Sequence, residues 1–421
     1  MPLGRIRFRS ENICLGVLIS LHAVHYLHIL NPAMTEKPFK ILSVLPLLGH
    51  PRDSKRISML QAAGFQVEVA AFERDYHAGR MPACPITSLG HIKHGHYLSR
   101  AFKMIRSLPI LRRALRRHSL AYASGPDMAL FAIVAGVGLR SQVVLEVGDI
   151  RHAQIAKGWK GWLARRLDRF IVNHSQLLVV TARGFADGYY GARLKSSTRV
   201  LVIENKLDEA PLTRVLGGQN PKPQEVFHLG TRPIKIGYFG VLRCPWSWEV
   251  LTHIAQSLPD RVHVIVAGYS MLPANVCDKS KRLANFEYRG EYRSPEDLPA
   301  LYGEVDLVWA CYPSPEAVDP DWRWALSVCR SNRFYESCFF QRPLVSMAES
   351  GDGVEVDRLG IGLTLVDQSN EGVLRAITGI TSDAISCWNN NLAKVPRSIG
   401  IYTNETGELQ RAILDVIART S

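Results

Sequence analysis

Four motifs that mark common enzyme classes are absent from this chain of 421 residues. The sequence contains no G-x-x-x-x-G-K-[ST] phosphate loop, and no G-x-G-x-x-G motif follows its first predicted strand. It also lacks the G-x-S-x-G nucleophile elbow and the H-E-x-x-H motif. These absences argue against a P-loop kinase, a dehydrogenase, a hydrolase with a nucleophile elbow and a zinc metalloprotease.

Cysteines are few and widely spaced. The chain has 8 cysteines, and no two of them form a C-x-x-C pair. Disulfide frameworks and cysteine-based zinc sites need cysteines in closer, regular spacing. The pattern argues against both and is typical of a protein from a reducing cytoplasm. We therefore expect no metal site.

Acidic residues are missing from Arg100 to His118, a segment that holds seven Lys and Arg residues of a chain with net charge +13. A second basic segment, 157–170, alternates cations with aromatic residues. Basic helices with aromatic anchors are typical of proteins that bind anionic membrane surfaces. A solvated helix face is the alternative, and the lack of a known nucleic-acid-binding signature argues against nucleic acid. The predicted membrane-facing residues are Arg112, Arg113, Arg116, Trp159 and Trp162.

The N-terminal segment 1–35 has two interpretations. Residues 13–30 are mostly apolar, and their number is at the lower limit for crossing a bilayer. A signal anchor is one interpretation. A mis-assigned start codon is the other, because Met34 precedes a plausible first strand.

Beyond this segment, short apolar runs alternate with helical stretches. This order predicts parallel sheets covered by helices on both faces. A Pro- and Gly-rich stretch at 208–233 predicts a linker between an N-terminal domain, 36–207, and a C-terminal domain, 234–395. We expect the last helix, within 396–421, to pack back on the first domain. The predicted strands are 39–46, 65–72, 128–133, 143–149, 176–182, 198–205, 234–240, 262–268, 285–290, 304–312 and 343–348.

Several features of the second half suit a ligand-binding cleft. Gly240 and Gly268 each end a predicted strand, and Arg243 follows three residues after the first of them. Glycine lets a phosphate approach the backbone, and arginine binds phosphate through paired hydrogen bonds. Glu336 is predicted near the start of a helix, whose free N–H groups also favour anions.

The order of the motifs resembles the nucleotide-sugar half of GT-B glycosyltransferases, in particular the retaining family 4 type. The resemblance extends over 39–400 and is most specific over 234–365. It implies two Rossmann-like parallel-sheet domains that face a central cleft. It also implies a bacterial enzyme of exopolysaccharide or lipid-linked glycan synthesis, with a nucleotide-sugar substrate and no cofactor. The motifs are "YFGVLR", "VAGY", "YRGEY", "SPEDL", "DLVWACY", "NRFYES", "QRPLVSM" and "LGIGL".

The resemblance implies a role for individual residues of the second half. Glu336 matches the second Glu of the family's Glu-x7-Glu motif, which accepts hydrogen bonds from the donor ribose. Arg243 matches the basic residue that stabilises the departing diphosphate. The remaining implied donor-binding residues are Gly240, Gly268, Tyr292, Asn332 and Arg333.

In the first half, the resemblance implies that Asp149 lies near the reacting sugar. A simpler alternative is that Asp149 caps a helix that begins at Ile150. His50 and Arg52 are predicted to lie on the acceptor side of the cleft.

Two departures from the family pattern concern the donor sugar. The position of the first Glu of the motif is occupied by Val328, and the Lys expected shortly after Arg243 is missing. Arg330 or Arg333 could supply the charge instead, and an arginine-rich site would suit an acidic sugar such as glucuronate.

The sequence therefore predicts a glycosyltransferase on the cytoplasmic face of the plasma membrane. It would transfer a hexosyl or glucuronosyl group from a nucleotide sugar to a lipid-linked or polysaccharide acceptor. Two alternatives are a nucleotide-sugar epimerase of the same fold and a binding subunit without catalytic activity.

Overall fold

The computed structural model describes residues 38–73, 81–92, 97–221, 230–278, 280–312 and 320–419. The predicted N-terminal segment 1–35 lies outside these residues. Within them, no helix has both the length and the apolar character needed to cross a membrane.

Seven parallel strands form the first sheet, in the order β3-β2-β1-β4-β5-β6-β7. Central strands such as β4 and β5 are buried along their whole length, since helices cover both faces of the sheet. The strands are β1 Lys40–Leu45, β2 Gln66–Glu73, β3 Ile86–His91, β4 Leu120–Ser124, β5 Gln142–Val147, β6 Leu177–Val180 and β7 Val200–Val202. The helices are α1 Pro51–Ala62, α2 Tyr97–Leu115, α3 Pro126–Ala135, α4 His152–Ile155, α5 Gly158–Asn173 and a π-helix, Phe185–Arg193.

Six parallel strands form the second sheet, in the order β10-β9-β8-β11-β12-β13. Its strands are β8 Ile234–Phe239, β9 Val262–Ala267, β10 Phe286–Tyr288, β11 Leu307–Trp309, β12 Leu344–Met347 and β13 Gly362–Leu365. Its α-helices are α7 Pro245–Ser257, α8 Ala274–Cys277, α9 Leu298–Glu304, α10 Pro320–Val328, α11 Asn332–Phe340, α12 Gly351–Leu359, α13 Asn370–Thr378 and α14 Ser382–Leu392. Short 3-10 turns span Ser280–Arg282 and Arg397–Ile399.

Each sheet buries an apolar cluster on both of its faces. The second sheet carries the largest buried side chains, Trp248 and Trp309, on the face covered by α7 and α13. Burial of such aromatic side chains contributes strongly to the stability of a core. The two parallel, doubly covered sheets confirm the predicted α/β fold class.

Two further helices complete the fold. Helix α6, Glu209–Val215, lies within the predicted linker and buries Leu212. The last helix, α15 Glu405–Ala418, follows the second sheet but packs against α1 and β6 of the first. Its apolar residues, among them Ile413, belong to the cluster on that face of the first sheet.

The predicted strand at 128–133 is wrong, because these residues lie in helix α3. Gly125 has φ +88° and Pro126 occupies the first turn of the helix, so the chain turns directly from β4 into α3. A short, continuously apolar run does not distinguish a buried strand from a buried helix by its periodicity. The neighbouring strand β4, together with β3 and β13, was not predicted.

Candidate functional site

The carboxyl ends of the strands of the second sheet bring the predicted donor residues together. Gly240 follows β8 with φ +117°, and Gly268 follows β9 with φ +142°. A Cβ on Gly268 would lie 1.7 Å from the carbonyl oxygen of Gly240. The close backbone approach at Gly268 is therefore to Gly240 of the same protein, which corrects the expectation that Gly268 makes room for a ligand.

Arg333 points into this turn from helix α11. Its Nε donates to the carbonyl of Phe239, and its guanidinium lies between the rings of Tyr238 and Tyr312, 5.0 Å from each centroid. Nη2 is 3.3 Å from the position that a Cβ of Gly240 would occupy. The side chain is buried, and its Nη1 has no hydrogen-bond partner among the described residues. A buried charged donor without a partner is rare in folded proteins and suits an anionic ligand.

Glu336 lies one turn further along the same helix and is also buried. It lies in the middle of α11, whereas the sequence predicts it near the start. The hydroxyl of Tyr302 donates to its Oε2 at 2.6 Å. Burial raises the pKa of Glu336, while the Tyr302 hydrogen bond and the charges of Lys55 and Arg333 oppose that rise.

Lys55 reaches toward Glu336 from helix α1 of the first domain. Its Nζ donates to the carbonyls of Asn205 and Lys206, at 3.2 and 3.0 Å. Burial lowers the pKa of Lys55 to about 8, and the charge of Glu336 opposes this. Lys55 was not predicted from the sequence, although the dense charge of α1, the first helix after β1, is a signal that could have identified it.

The other two predicted donor residues differ in their surroundings. Tyr292 is half-buried, and burial together with the charge of Glu336 raises its pKa. Asn332 accepts a hydrogen bond from Asn205 Nδ2 at 2.7 Å. Asn332 therefore contacts the first domain in this structure, while Tyr292 lies within electrostatic range of the Glu336 carboxylate.

Charges from both domains converge on Cys329, at the end of α10. The pKa of the Cys329 thiol is raised to about 12, mainly by burial. The charges of Asp149 and Asp352 contribute to this rise, and the charge of Arg243 opposes it. Arg243 is exposed on the loop after β8. Asp149 of the first domain and Arg243 of the second thus both act electrostatically on the Cys329 thiol.

The predicted acceptor-side residues lie at the carboxyl ends of β1 and β5. His50 is the N-cap residue of α1, and its Nδ1 lies 3.6 Å from Oδ2 of Asp53. Arg52 Nη1 lies 3.7 Å from Oδ2 of Asp149, whose side chain is 81% exposed. The alternative that Asp149 caps a helix at Ile150 is wrong, because α4 begins at His152 with Arg151 as its N-cap.

Two buried carboxylates beneath this edge were not identified from the sequence. Asp53 accepts a hydrogen bond from the Ser124 hydroxyl at 2.7 Å, and burial raises its pKa. Glu146 accepts two hydrogen bonds from Arg56, of 2.9 and 3.1 Å, and both side chains are buried.

Val328, at the position of the missing family Glu, packs against the first domain. A Cβ on Gly184 would lie 2.4 Å from Cβ of Val328, and one on Gly188 would lie 2.3 Å from the Trp324 ring. The two glycines occupy one face of the π-helix region and let α10 approach closely. An apolar domain contact therefore stands where the family pattern has a carboxylate.

Arg330 also contributes to the contact between the two domains. It forms ion pairs of 3.0 Å with Glu204 of the first domain and with Glu355 of helix α12. Its guanidinium is therefore neutralised by protein carboxylates, so of the two arginines suggested for the missing charge only Arg333 remains available.

Asp352 supports the start of helix α11. Its Oδ1 accepts a hydrogen bond from the backbone N–H of Ser331, the N-cap of α11, at 2.9 Å. Burial raises the pKa of Asp352 to about 6, and the hydrogen bond and the charges of Arg333 and Arg330 oppose the rise. Asp352 thus positions the helix that carries Arg333 and Glu336.

The residues predicted to face a membrane fall into two groups. Trp159 and Trp162 are exposed on α5, and Arg113 and Arg116 are exposed near the end of α2. Arg112 instead donates to the carbonyls of Ala135 and Val137 at the end of α3, where a cation is favourable. Among the described residues, no group of three His, Cys, Asp or Glu side chains could hold a metal ion.

Residues 57–206 match the family model described as "Glycosyl transferase 4-like domain". The chain is also similar to the succinoglycan biosynthesis protein ExoL of Rhizobium meliloti (strain 1021). The two are 26% identical over 368 residues, which cover 85% of this chain and 88% of the relative.

Two solved structures share the two-sheet architecture. Anabaena Alr3699/HepE in complex with UDP and glucose matches with a TM-score of 0.59 and 15% identity, over 90% of this chain and 100% of that one. The UDP-GlcNAc 2-epimerase from Neisseria meningitidis, bound to UDP-GlcNAc, matches with a TM-score of 0.54 and 12% identity over the same shares. At these identities the likeness shows the fold alone, and it confirms the predicted GT-B architecture.

Proposed function

We propose that the chain, which has the GT-B fold and is similar to family 4-like glycosyltransferases, transfers a sugar from a UDP-sugar to a glycan acceptor. The transferred sugar would be a hexose or a hexuronic acid such as glucuronate. The UDP in the HepE complex supports the choice of nucleotide. The role of ExoL in succinoglycan biosynthesis supports an exopolysaccharide pathway.

The observation that carries this proposal is the buried Nη1 of the Arg333 guanidinium, which has no hydrogen-bond partner among the described residues. The Arg333 side chain is 5% exposed and lies against the Gly240 turn at the end of β8. A donor diphosphate at this turn would supply oxygen acceptors and opposite charge. The carboxyl end of a parallel sheet is also where ligands bind in open α/β folds.

The proposed chemistry divides between the two domains. In the second domain, Arg333 and Arg243 stabilise the negative charge that develops on the departing diphosphate, and Glu336 accepts hydrogen bonds from the ribose. In the first, Asp149 and Arg52 line the acceptor side. Closure of the cleft aligns donor and acceptor. Retention of configuration fits this arrangement, because departure and attack on one face depend on diphosphate stabilisation more than on a strong base.

The acceptor is proposed to be a lipid-linked or growing polysaccharide chain at the cytoplasmic face of the plasma membrane. Exposed Trp159 and Trp162, with the cations around them, support a peripheral membrane location. Such a surface would bring the acceptor side of the cleft close to a membrane-bound substrate.

A binding experiment tests the donor site. UDP at about 100 times its Kd should raise the free energy of unfolding of the wild-type protein by about 2.7 kcal/mol. Arg333→Gln should weaken UDP binding by about tenfold or more, while Arg293→Gln, on an exposed side chain of the same domain, should not. GDP and dTDP define the base preference. If no nucleotide stabilises the wild-type protein, the proposed donor site is wrong and a binding subunit without donor activity is favoured.

A turnover experiment tests the reaction class. Labelled sugar should move from UDP-sugar to a lipid-linked acceptor, and Glu336→Ala and Arg243→Ala should each lower the rate. Wild-type turnover in both variants would contradict the site assignment. The structural match to a UDP-GlcNAc 2-epimerase makes an epimerase the second candidate. An epimerase would convert the UDP-sugar without any acceptor.

A further inference from the structure

Lys55 is a half-buried cation of the first domain whose ammonium group is only partly used by the protein. It lies on α1, and its Nζ donates to the carbonyls of Asn205 and Lys206 at 3.2 and 3.0 Å. A protonated lysine has three N–H donors, so one of them remains after these two hydrogen bonds. The two carbonyls orient the ammonium group without neutralising its charge.

The segment that Lys55 binds is also attached to the donor helix α11 of the second domain. The side chain of Asn205 donates to Oδ1 of Asn332, the first residue of α11, at 2.7 Å. One residue earlier in the chain, Glu204 pairs with Arg330 at 3.0 Å. Helices α1 and α11 therefore contact the same short segment, 204–206, and their relative position is fixed there.

Glu336 on α11 is the charge that acts most strongly on Lys55. Burial lowers the pKa of Lys55, and the charge of Glu336 is the largest effect that opposes this. In turn, Lys55 is the cation with the largest effect on Glu336, ahead of Arg333. Each acts on the other through its charge, without a direct hydrogen bond. The other charged groups that face Lys55 are Arg56 and Arg52 on α1 and Asp208 before α6.

Glu336 has one carboxylate oxygen left for a ligand. The hydroxyl of Tyr302 donates to Oε2 at 2.6 Å, and no residue in the described part of the chain donates to Oε1. A ligand hydroxyl can both donate to Oε1 and accept the remaining N–H of Lys55. A phosphate oxygen only accepts hydrogen bonds and is repelled by the carboxylate. The combination of Lys55 and Glu336 therefore suits a hydroxyl group.

We propose that Lys55 donates a hydrogen bond to a ribose hydroxyl of the donor nucleotide, the same hydroxyl that donates to Glu336. The inference rests on the proposed role of Glu336 in ribose binding, and it adds a residue of the first domain to the donor site. Lys55 is then a specificity-determining residue. A nucleotide without that hydroxyl leaves an ammonium and a carboxylate unpaired, and sites built to bind a hydroxyl reject such analogues strongly.

Calorimetric titration of the full chain with UDP, 2′-deoxy-UDP and 3′-deoxy-UDP tests the proposal. The variant is Lys55→Met. The control is Lys206→Met, because Lys206 lies at the same domain junction but pairs with Glu405 at 2.5 Å. We expect the wild-type protein and the control to bind UDP at least about tenfold more tightly than one of the two analogues. Lys55→Met should bind UDP about tenfold more weakly, while its affinity for that analogue does not fall.

The pH dependence of this preference is a second measurement, and it needs only the wild-type protein. A neutral lysine has two N–H donors, which the carbonyls of Asn205 and Lys206 occupy. Burial lowers the pKa of Lys55 to about 8. The preference for UDP over the analogue should therefore fall as the pH rises from about 7 to about 9. Comparison of two nucleotides at each pH cancels the titration of their phosphates and base. The test thus remains decisive if Lys55→Met does not fold.

Four results would overturn the inference. An equal loss of affinity for all three nucleotides in Lys55→Met would mean that Lys55 contacts the diphosphate or has only a structural role. A preference that does not change with pH would show that the third N–H is not used. Equal binding of UDP and both analogues by the wild-type protein would remove the ribose contact but leave the proposed donor nucleotide in place. Absence of UDP binding would remove the proposed donor site and, with it, this inference.

Discussion

Two buried arginines, Arg56 in the first domain and Arg333 in the second, have opposite surroundings. Both are nearly inaccessible, at 4% and 5% exposure. Arg56 binds Glu146 through two hydrogen bonds, and the Tyr122 hydroxyl donates to the same carboxylate at 2.6 Å. Arg333 has aromatic rings and a carbonyl around it, and its Nη1 lacks a partner among the described residues. Burial of a charge therefore indicates a ligand site only when the protein does not itself neutralise that charge.

The largest expected effect comes from breaking the neutralised pair. Glu146→Gln leaves the Arg56 charge buried without its carboxylate, so the free energy of unfolding should fall by about 3–5 kcal/mol. Urea denaturation measures this change. The double variant Arg56→Met/Glu146→Gln should be less destabilised than the single one, because it removes both charges. A double variant that is as unstable as the sum of its parts would contradict the account of the pair.

The next prediction concerns Asp352, a buried carboxylate whose charge is only partly compensated by its hydrogen bond and by nearby arginines. Burial raises its pKa to about 6, above the value of 3.8 for an unperturbed Asp. The native state therefore holds the proton more tightly, and the contribution of Asp352 to stability falls as the pH rises from about 4 to about 6. The amide side chain of the Asp352→Asn variant does not titrate. The free energy of unfolding of this variant relative to the wild-type protein should therefore increase by about 1.4 kcal/mol for each pH unit across that window. A difference that stays constant between pH 4 and pH 7 would contradict the raised pKa.

The third prediction is that removal of the Arg333 charge does not destabilise the protein, in contrast to breaking the pair of Arg56 and Glu146. Arg333→Gln removes a buried charge that has no carboxylate partner, so the unliganded protein should keep its stability within about 1 kcal/mol or gain some. Affinity for UDP should fall by about 1.5–3 kcal/mol, the usual contribution of a charge-assisted hydrogen bond. Calorimetric titration together with urea denaturation separates the two effects. Loss of stability equal to that of Glu146→Gln would show that Arg333 is a structural residue.

The fold was largely predictable because β1 and β9 are apolar runs bounded by turn residues, the usual pattern of buried parallel strands. The run at 128–133 has the same composition and is helical, so composition alone fails where both structures bury every side chain. Motif order also led to Arg333 and Glu336.

What the sequence does not reveal is which charges the protein pairs with one another. The ion pair between Arg330 and Glu204 joins the two domains, and so does the contact of Val328 with Gly184. Residues so far apart in the chain share no local pattern. Only the four-residue spacing of Gly184 and Gly188 hints that one helical face is open to close packing.

The smallest expected effect tests that domain contact. Val328→Glu restores the family residue, but the side chain at this position packs against the backbone of Gly184. A longer, charged side chain must displace α10, so the free energy of unfolding should fall by about 1 kcal/mol or more, with no gain in transfer rate. Val328→Thr has the same shape with one hydroxyl and should lose less than Val328→Glu. Faster transfer by Val328→Glu would mean that position 328 faces the donor sugar. A carboxylate there could then still bind the sugar, and the account of the position as an apolar domain contact would be wrong.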